Sequence, residues 1–195
     1  HIVDVVSWGM SAAEASSCGS PADDGADDIN GHGTHVAGSV LGDGTNSSGN
    51  IKGVAPEARL YFQAVGVYCN SAGGDTLLGI PSNYTELFKA GADNGSRVHT
   101  NSWGASVDGQ YTIGSMQADI AARDYTNMTI LFAGANEGVD ANSDGEVDLD
   151  SLGSPATAKN VLTVGASEND RPTQTLTYDG FRDPPGSSTR VFPAN

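Results

Sequence analysis

Short apolar, β-rich runs alternate along this chain with stretches of helical periodicity. Residues 2–6 (IVDVV) predict a strand, and residues 34–41 a helix with small residues on one face. Residues 60–67 predict a second strand, followed by a glycine-rich turn at Gly73 and Gly74. Residues 84–92 are amphipathic, with Ser82 or Asn83 available as the N-cap. A short strand is predicted at 98–101, then a helix at 113–123 that places Ile113, Met116 and Ile120 on one face. Residues 128–133 and 161–164 are β-rich and strongly apolar, the pattern of strands buried on both sides. From Glu168 onward the chain is polar, carries Asp183-Pro184-Pro185-Gly186 and reads as loop. Strands alternating with helices predict an α/β fold around a parallel sheet. The 195 residues suffice for one domain.

The segment with the most chemistry is Gly31-His32-Gly33-Thr34-His35-Val36-Ala37-Gly38-Ser39. It puts His32 at the start of a helix, where an imidazole can project into a cleft. Gly33, Ala37 and Gly38 are small enough to let that helix lie close against a sheet. The competing reading is a glycine-rich turn with two incidental histidines. Two further segments stand out: His99-Thr100-Asn101-Ser102-Trp103-Gly104, and Leu131-Phe132-Ala133-Gly134-Ala135-Asn136-Glu137-Gly138.

From about Asp28 to about Pro172, these motifs and their spacing resemble the subtilisin-like serine proteases, or subtilases. The combination of Asn30 to Gly42 with His99 to Gly104 is most similar to the oxidatively stable alkaline subtilases of bacteria. The resemblance implies a doubly wound, subtilisin-like sandwich with helices on both faces of the sheet. It also implies peptide-bond hydrolysis by an Asp/His/Ser triad with an asparagine oxyanion donor. His32 matches the general acid/base, because a neutral imidazole near pH 7 can take a proton and return it. Asn136 matches the oxyanion asparagine, whose amide favours a developing negative charge over a neutral carbonyl. The plain alternative for Asn136 is a turn residue. His35, three residues on, reads as buried and structural.

Ser102, Trp103 and Gly104 match the segment whose backbone pairs with substrate, although Trp103 also suits an ordinary core position. Gly73 and Gly74 are expected near the opposing substrate-binding strand. Gly134 and Ala135 line the site, with a departure from the family pattern, which usually reads Ala-Gly-Asn. The added methyl of Ala135 narrows the primary specificity pocket or shifts the loop.

Neither an Asp-(Thr/Ser)-Gly nor a Gly-Thr-Ser-Met-Ala occurs in the sequence. Asp4 follows apolar residues and precedes His32 but lacks the turn that would expose a catalytic aspartate. The expectation is therefore a central part of one catalytic domain, with the aspartate before residue 1 and the serine after residue 195. On this reading the 195 residues alone are inactive. The alternative is a catalytically inactive subtilase-like chain that binds calcium or peptides.

Composition narrows the partners. Twenty-four acidic side chains against nine basic ones give a formal charge of −15, which argues against nucleic acid and anionic membranes. No apolar run approaches the roughly 20 residues of a membrane span. An acidic, lysine-poor surface suits a secreted protein or one that binds cations. Polypeptide substrates and the remainder of the catalytic domain are the expected partners. Cys18 and Cys69 either form one disulfide, favouring an oxidising compartment, or remain two thiols.

The run Asp140-Ala141-Asn142-Ser143-Asp144-Gly145-Glu146-Val147-Asp148 places oxygen side chains at alternate positions around a glycine. That suits calcium better than octahedral magnesium, with Asp140, Asn142, Asp144, Glu146 and Asp148 as ligands. A solvated acidic loop is the alternative. The looser cluster Asp23, Asp24, Asp27 and Asp28 reads as solvated loop.

Overall fold

A computed structural model of the chain describes residues 2–23, 25–28, 30–138, 142 and 147–166. The chain divides into two compact units, one up to Ser96 and one from Arg97. Among the described residues no helix is long and apolar enough to cross a membrane.

In the first unit, strand β1 (Ile2–Ser7) runs parallel to β2 (Leu60–Ala64), pairing Val5 with Phe62 and Ser7 with Ala64. Helices α1 (Ala12–Cys18) and α2 (His32–Leu41) lie between these strands in sequence. Helix α1 begins in a capping box: Ser11 accepts from the Glu14 amide, and the Glu14 carboxylate accepts from the Ser11 amide. It ends on Gly19 in the left-handed conformation, with φ of 64°.

The predicted strand at 60–67 breaks in two. The carbonyl of Val65 accepts from the Gly79 amide at 3.1 Å rather than continuing a ladder. The chain resumes as β3 (Val67–Cys69), which pairs antiparallel with β4 (Gly74–Thr76). Gly73 occupies the turn between them with φ of 70°, whereas Gly74 starts a strand. Helix α3 (Thr85–Asp93) starts one residue later than predicted. The Asn83 side chain still satisfies its first turn, accepting from the Thr85 amide at 3.3 Å and hydroxyl at 2.7 Å. Leu87 and Phe88 are buried on this helix. Gln63 accepts from the Trp8 indole at 3.0 Å and donates to the Leu87 carbonyl at 3.1 Å, tying β2 to both.

Cys18 and Cys69 are joined by a disulfide spanning 51 positions. With Met10 and Val67 they form a buried cluster against which Ala15 and Leu78 pack.

The second unit is a parallel three-stranded sheet in the order β5 (Val98–Asn101), β6 (Thr129–Ala133), β7 (Leu162–Val164). Helix α4 (Ile113–Asp124) crosses from β5 to β6. Its predicted apolar face is not the one that packs. Ser115, Ala118 and Ala121 are fully buried, while Ile113 is 70% and Met116 44% exposed. Small side chains allow a helix to approach its neighbour closely, and the one polar member of that face is fully hydrogen-bonded. The strands differ from expectation too. In β6, Ile130 and Phe132 are buried but Thr129 and Ala133 are not, and in β7 Leu162 and Val164 are exposed. The alternation in β6 marks a strand with one covered face, whereas β7 is exposed along its whole length. The polar stretch from Glu168 lies outside the described residues.

Candidate functional site

The turn before α2 is built by side chains that accept from backbone amides. Gly31 adopts φ of 80°, a conformation glycine reaches without steric cost. Asp28 accepts from the Gly31 amide at 3.0 Å and from the Thr34 amide at 2.6 Å. Asn30 accepts from the His32 amide at 2.7 Å. Three orphan donors at the start of a helix are thereby satisfied. The hydrogen bonds from Thr34 hold the Asp28 carboxyl below its ordinary range. The sequence had placed Asp28 in a solvated cluster. Asp23 likewise anchors a loop, accepting from the Ser7 hydroxyl at 2.7 Å and the Gly25 amide at 2.9 Å.

His32 is the first residue of α2 and is exposed. Among the described residues its imidazole makes no hydrogen bond. His35 is exposed too, contrary to the buried role expected of it. Positions three apart lie on the same side of a helix, so the geometry that opens His32 to solvent opens His35 as well. Of the small residues meant to seat the helix, Gly33 does so: a Cβ there would come within 3.1 Å of the Phe62 ring. Gly38 faces open space and seats nothing. The far end of α2 is closed instead by the Val54 and Ala55 amides, which donate to the Ser39 and Val40 carbonyls at 3.1 and 2.7 Å. Asp4 lies on β1, where its carboxylate accepts from the Val5 amide at 2.9 Å.

In the second unit, Asn136 lies in the exposed turn after β6, its amide donating to Glu137 at 3.0 Å. Gly134 is held on both sides: its amide donates to the Val164 carbonyl at 2.9 Å, and its carbonyl accepts from Gly153 at 3.2 Å. Ala135 has φ of 105°, a region where a side chain is strained. Where the family pattern puts glycine immediately before the asparagine, this chain puts alanine into the backbone conformation that favours glycine.

Ser102 and Trp103 are half-buried and Gly104 exposed. The Trp103 ring meets Phe132 edge to face, with centroids 5.3 Å apart, so its indole packs as core. A Cβ on Gly104 would fall 2.9 Å from the Ser154 carbonyl, and one on Gly153 3.0 Å from the Ala135 methyl. Ala105 and Ser154 exchange both backbone hydrogen bonds, at 2.9 and 3.0 Å. Beneath this bridge lies a chain of hydroxyls. Thr112 and Ser154 are 2.6 Å apart, Ser154 and Ser115 3.1 Å, and Ser115 and Thr157 2.7 Å. Ser115 and Ser154 are buried. Asp119 adds a second fastening, accepting from the Tyr111 hydroxyl at 2.8 Å and from the Lys159 and Asn160 amides at 2.9 and 2.7 Å. That contact, with its negative charge, pushes the Tyr111 hydroxyl pKa up.

Of the calcium-loop residues, Asp140, Asp144 and Glu146 lie outside the described residues. Asn142 and Asp148 are described, the first exposed and the second half-buried, and the Asp148 carbonyl accepts from the Ser151 hydroxyl at 2.7 Å. Among the described residues, no three His, Cys, Asp or Glu side chains gather as metal ligands.

The sequence profile of the subtilase family matches residues 10–189. The chain belongs to the subtilase family. Among curated proteins, this subtilase is 35% identical over 152 residues to the serine protease/ABC transporter B family protein tagB of Dictyostelium discoideum. That match takes in 74% of the chain and 7% of the relative. It is 30% identical over 150 residues to the serine protease AprX of Bacillus subtilis, covering 73% of the chain and 31% of AprX. The major intracellular serine protease of the same bacterium is 28% identical, with 74% of the chain and 40% of the relative covered. The subtilase chain thus spans less than half the length of each of these relatives.

Proposed function

We propose that these residues form the histidine- and oxyanion-bearing part of a secreted serine endopeptidase. His32 is its general acid/base and Asn136 its oxyanion donor, and the aspartate and serine are supplied by further residues of the same protein. The observation that carries this reading is the presentation of His32. A family-matched histidine stands exposed at the first position of a helix whose entry turn is fixed by Asp28 and Asn30. In the reaction, His32 takes the serine proton as the serine oxygen attacks the peptide carbonyl, then returns it to the leaving amine. The Asn136 amide donates to the oxygen on which negative charge develops. The Cys18–Cys69 disulfide supports secretion into an oxidising compartment. The hard-oxygen donor set of Asp140, Asn142, Asp144, Glu146 and Asp148 fits a structural calcium ion.

Labelling of the full-length native protein with a fluorophosphonate, which reacts only with an activated serine, tests the reading. Wild type is expected to label and His32→Ala to lose labelling while keeping its fold by circular dichroism. Asn136→Ala is expected to lower kcat by about 10²–10³, the range found for this donor in another member of the family. A wild-type protein that does not label, or a His32→Ala variant that labels equally, leaves instead a subtilase that binds without catalysing.

A further inference from the structure

The pair Asn-Gly occurs twice in the chain, at Asn30-Gly31 and at Asn94-Gly95. In such a pair the glycine nitrogen can attack the asparagine side-chain carbonyl, because the glycine carries no side chain to stand in the way. The two pairs lie in different surroundings. At the end of α3 the Asn94 side chain donates to the Ala90 carbonyl at 2.9 Å, which draws it back along the helix and away from Gly95. The Gly95 amide donates to the Ala92 carbonyl at 3.0 Å, so the proton that must leave meets a peptide carbonyl, which is no base.

At the start of α2 the groups are arranged for the reaction. The Asn30 side-chain oxygen accepts from the His32 amide at 2.7 Å, so the side chain folds forward over the Gly31 amide between them. That donor belongs to the first residue of a helix. It faces the oxygen on which negative charge develops when the carbonyl is attacked. The Gly31 amide donates to one Asp28 oxygen at 3.0 Å. The Thr34 amide holds the other Asp28 oxygen at 2.6 Å, which keeps the carboxylate on Gly31. A carboxylate cannot strip an amide outright, but it takes the proton as the new bond forms. Asn30 and Gly31 are exposed, and a Cβ on Gly31 would meet no atom within 4 Å, which leaves the space beside Gly31 open to water.

We propose that Asn30 is a self-modification site. The Gly31 nitrogen bonds to the Asn30 side-chain carbonyl carbon, and its proton passes by way of Asp28 to the side-chain nitrogen, which leaves as ammonia. Water then opens the cyclic imide at one carbonyl or the other. Opening at the side-chain carbonyl gives an aspartyl residue, which still accepts from the His32 amide. Opening at the main-chain carbonyl gives isoaspartate, which lengthens the main chain by a methylene and displaces the acceptor from that amide. The turn that presents His32 therefore ages with the protein. The modification stands apart from the protease reading; its consequence for activity rests on that reading.

The test incubates the full-length protein in neutral buffer with a reversible boronate present to prevent self-digestion. Peptide mapping in heavy-oxygen water reads the conversion of amide to acid at Asn30 and Asn94, and isoaspartyl methyltransferase counts the isoaspartate. In the folded protein Asn30 is expected to convert about tenfold faster than Asn94, and the two rates should converge in guanidinium chloride. Asp28→Asn, which removes the base, is expected to slow conversion at Asn30 about tenfold. Were the turn a shield, Asn30 would convert no faster than Asn94, and Asp28→Asn would leave its rate unchanged or raise it; either result overturns the proposal. Should Asp28→Asn not fold, the wild-type ratio of the two sites decides. Phosphonate labelling, measured once the boronate is removed, should fall in step with isoaspartate, while Asn30→Ser should hold the labelling it starts with. Labelling that persists on the isoaspartyl protein overturns the consequence for His32. Conversion as expected in a wild type that never labels would sink the protease reading alone.

Discussion

Up to Ser96, the loop that presents His32 is held at the surface by carboxylates on backbone amides, and the glycine hairpin by one buried covalent bond. From Arg97 on, the turn that presents Asn136 rests on a floor of hydroxyls bonded to one another, of which Ser115 and Ser154 are buried. The carboxylates are exposed to solvent and pH. The hydroxyl floor is sheltered at its centre, and its cost appears only when one member is removed. The two units thus solve one problem, fixing a loop that carries a reactive side chain, with interactions of different range and different sensitivity.

The largest expected effect is on the covalent side. Closing a loop of 51 positions is worth about 4 kcal/mol in the chain-entropy account. The Cys18→Ala/Cys69→Ala variant should lose roughly that much protection in amide exchange across the first unit and little in the second. Equal loss in both units would erase the distinction. Ser115→Ala should cost about 1 kcal/mol, because it removes a hydrogen bond from Ser154 and from Thr157, which keep Thr112 and the Gln110 carbonyl as partners, and takes the Ser115 acceptor from the Thr112 amide. Here amide exchange should change from Arg97 onward. A neutral result would mean that the hydroxyl floor is not what holds the second unit.

Asp28→Ala should cost about 1 kcal/mol near neutral pH, as the loss of a helix cap does. The sign with pH follows from the depressed carboxyl. Its contribution is present above 3.8, the value of an unperturbed aspartate, and is lost as pH falls through the lowered folded value. The gap between variant and wild type in an acid titration of stability should close on that side, whereas the Ser115→Ala gap should stay constant. Smallest is Ala135→Gly, expected to gain up to about 1 kcal/mol by relieving the positive φ, partly offset by backbone entropy. Denaturant titration would show it, and a loss would mean that the methyl contact near Gly153 is worth more than the strain.

The sequence made the α/β alternation legible, and with it the positions of β1, α2, β5 and α4, because period and length speak clearly there. The histidine and asparagine segments were legible for a different reason, since their residue order resembles a family pattern. Less visible was the covered face of α4. Periodicity picks the largest apolar residues, Ile113 and Met116, whereas close approach selected Ser115, Ala118 and Ala121. The Asp28 cap carried a usable signal, an aspartate three residues before the glycine that opens the helix, but it lay hidden among neighbouring acids. Asp119 had none. Its partners at Tyr111, Lys159 and Asn160 come from both directions along the chain, and only the fold brings them together.

Strand register carries a last consequence, for the order of events during synthesis. In the second unit β5 meets β6 with Val98 opposite Thr129, so a single helix separates the partners. In the first, Ile2 must wait for Leu60, with α1 and α2 in between. Pairing between distant segments is slow because loop closure comes before any contact is gained. Of the two units, the one synthesised earlier is therefore the one whose sheet closes later relative to its own emergence. Meanwhile β1, with Ile2, Val3 and Val5 exposed even when paired, is a bare apolar strand. Aggregation during expression should start there, and a chaperone that shields the stretch from β1 to β2 would be the helper of choice.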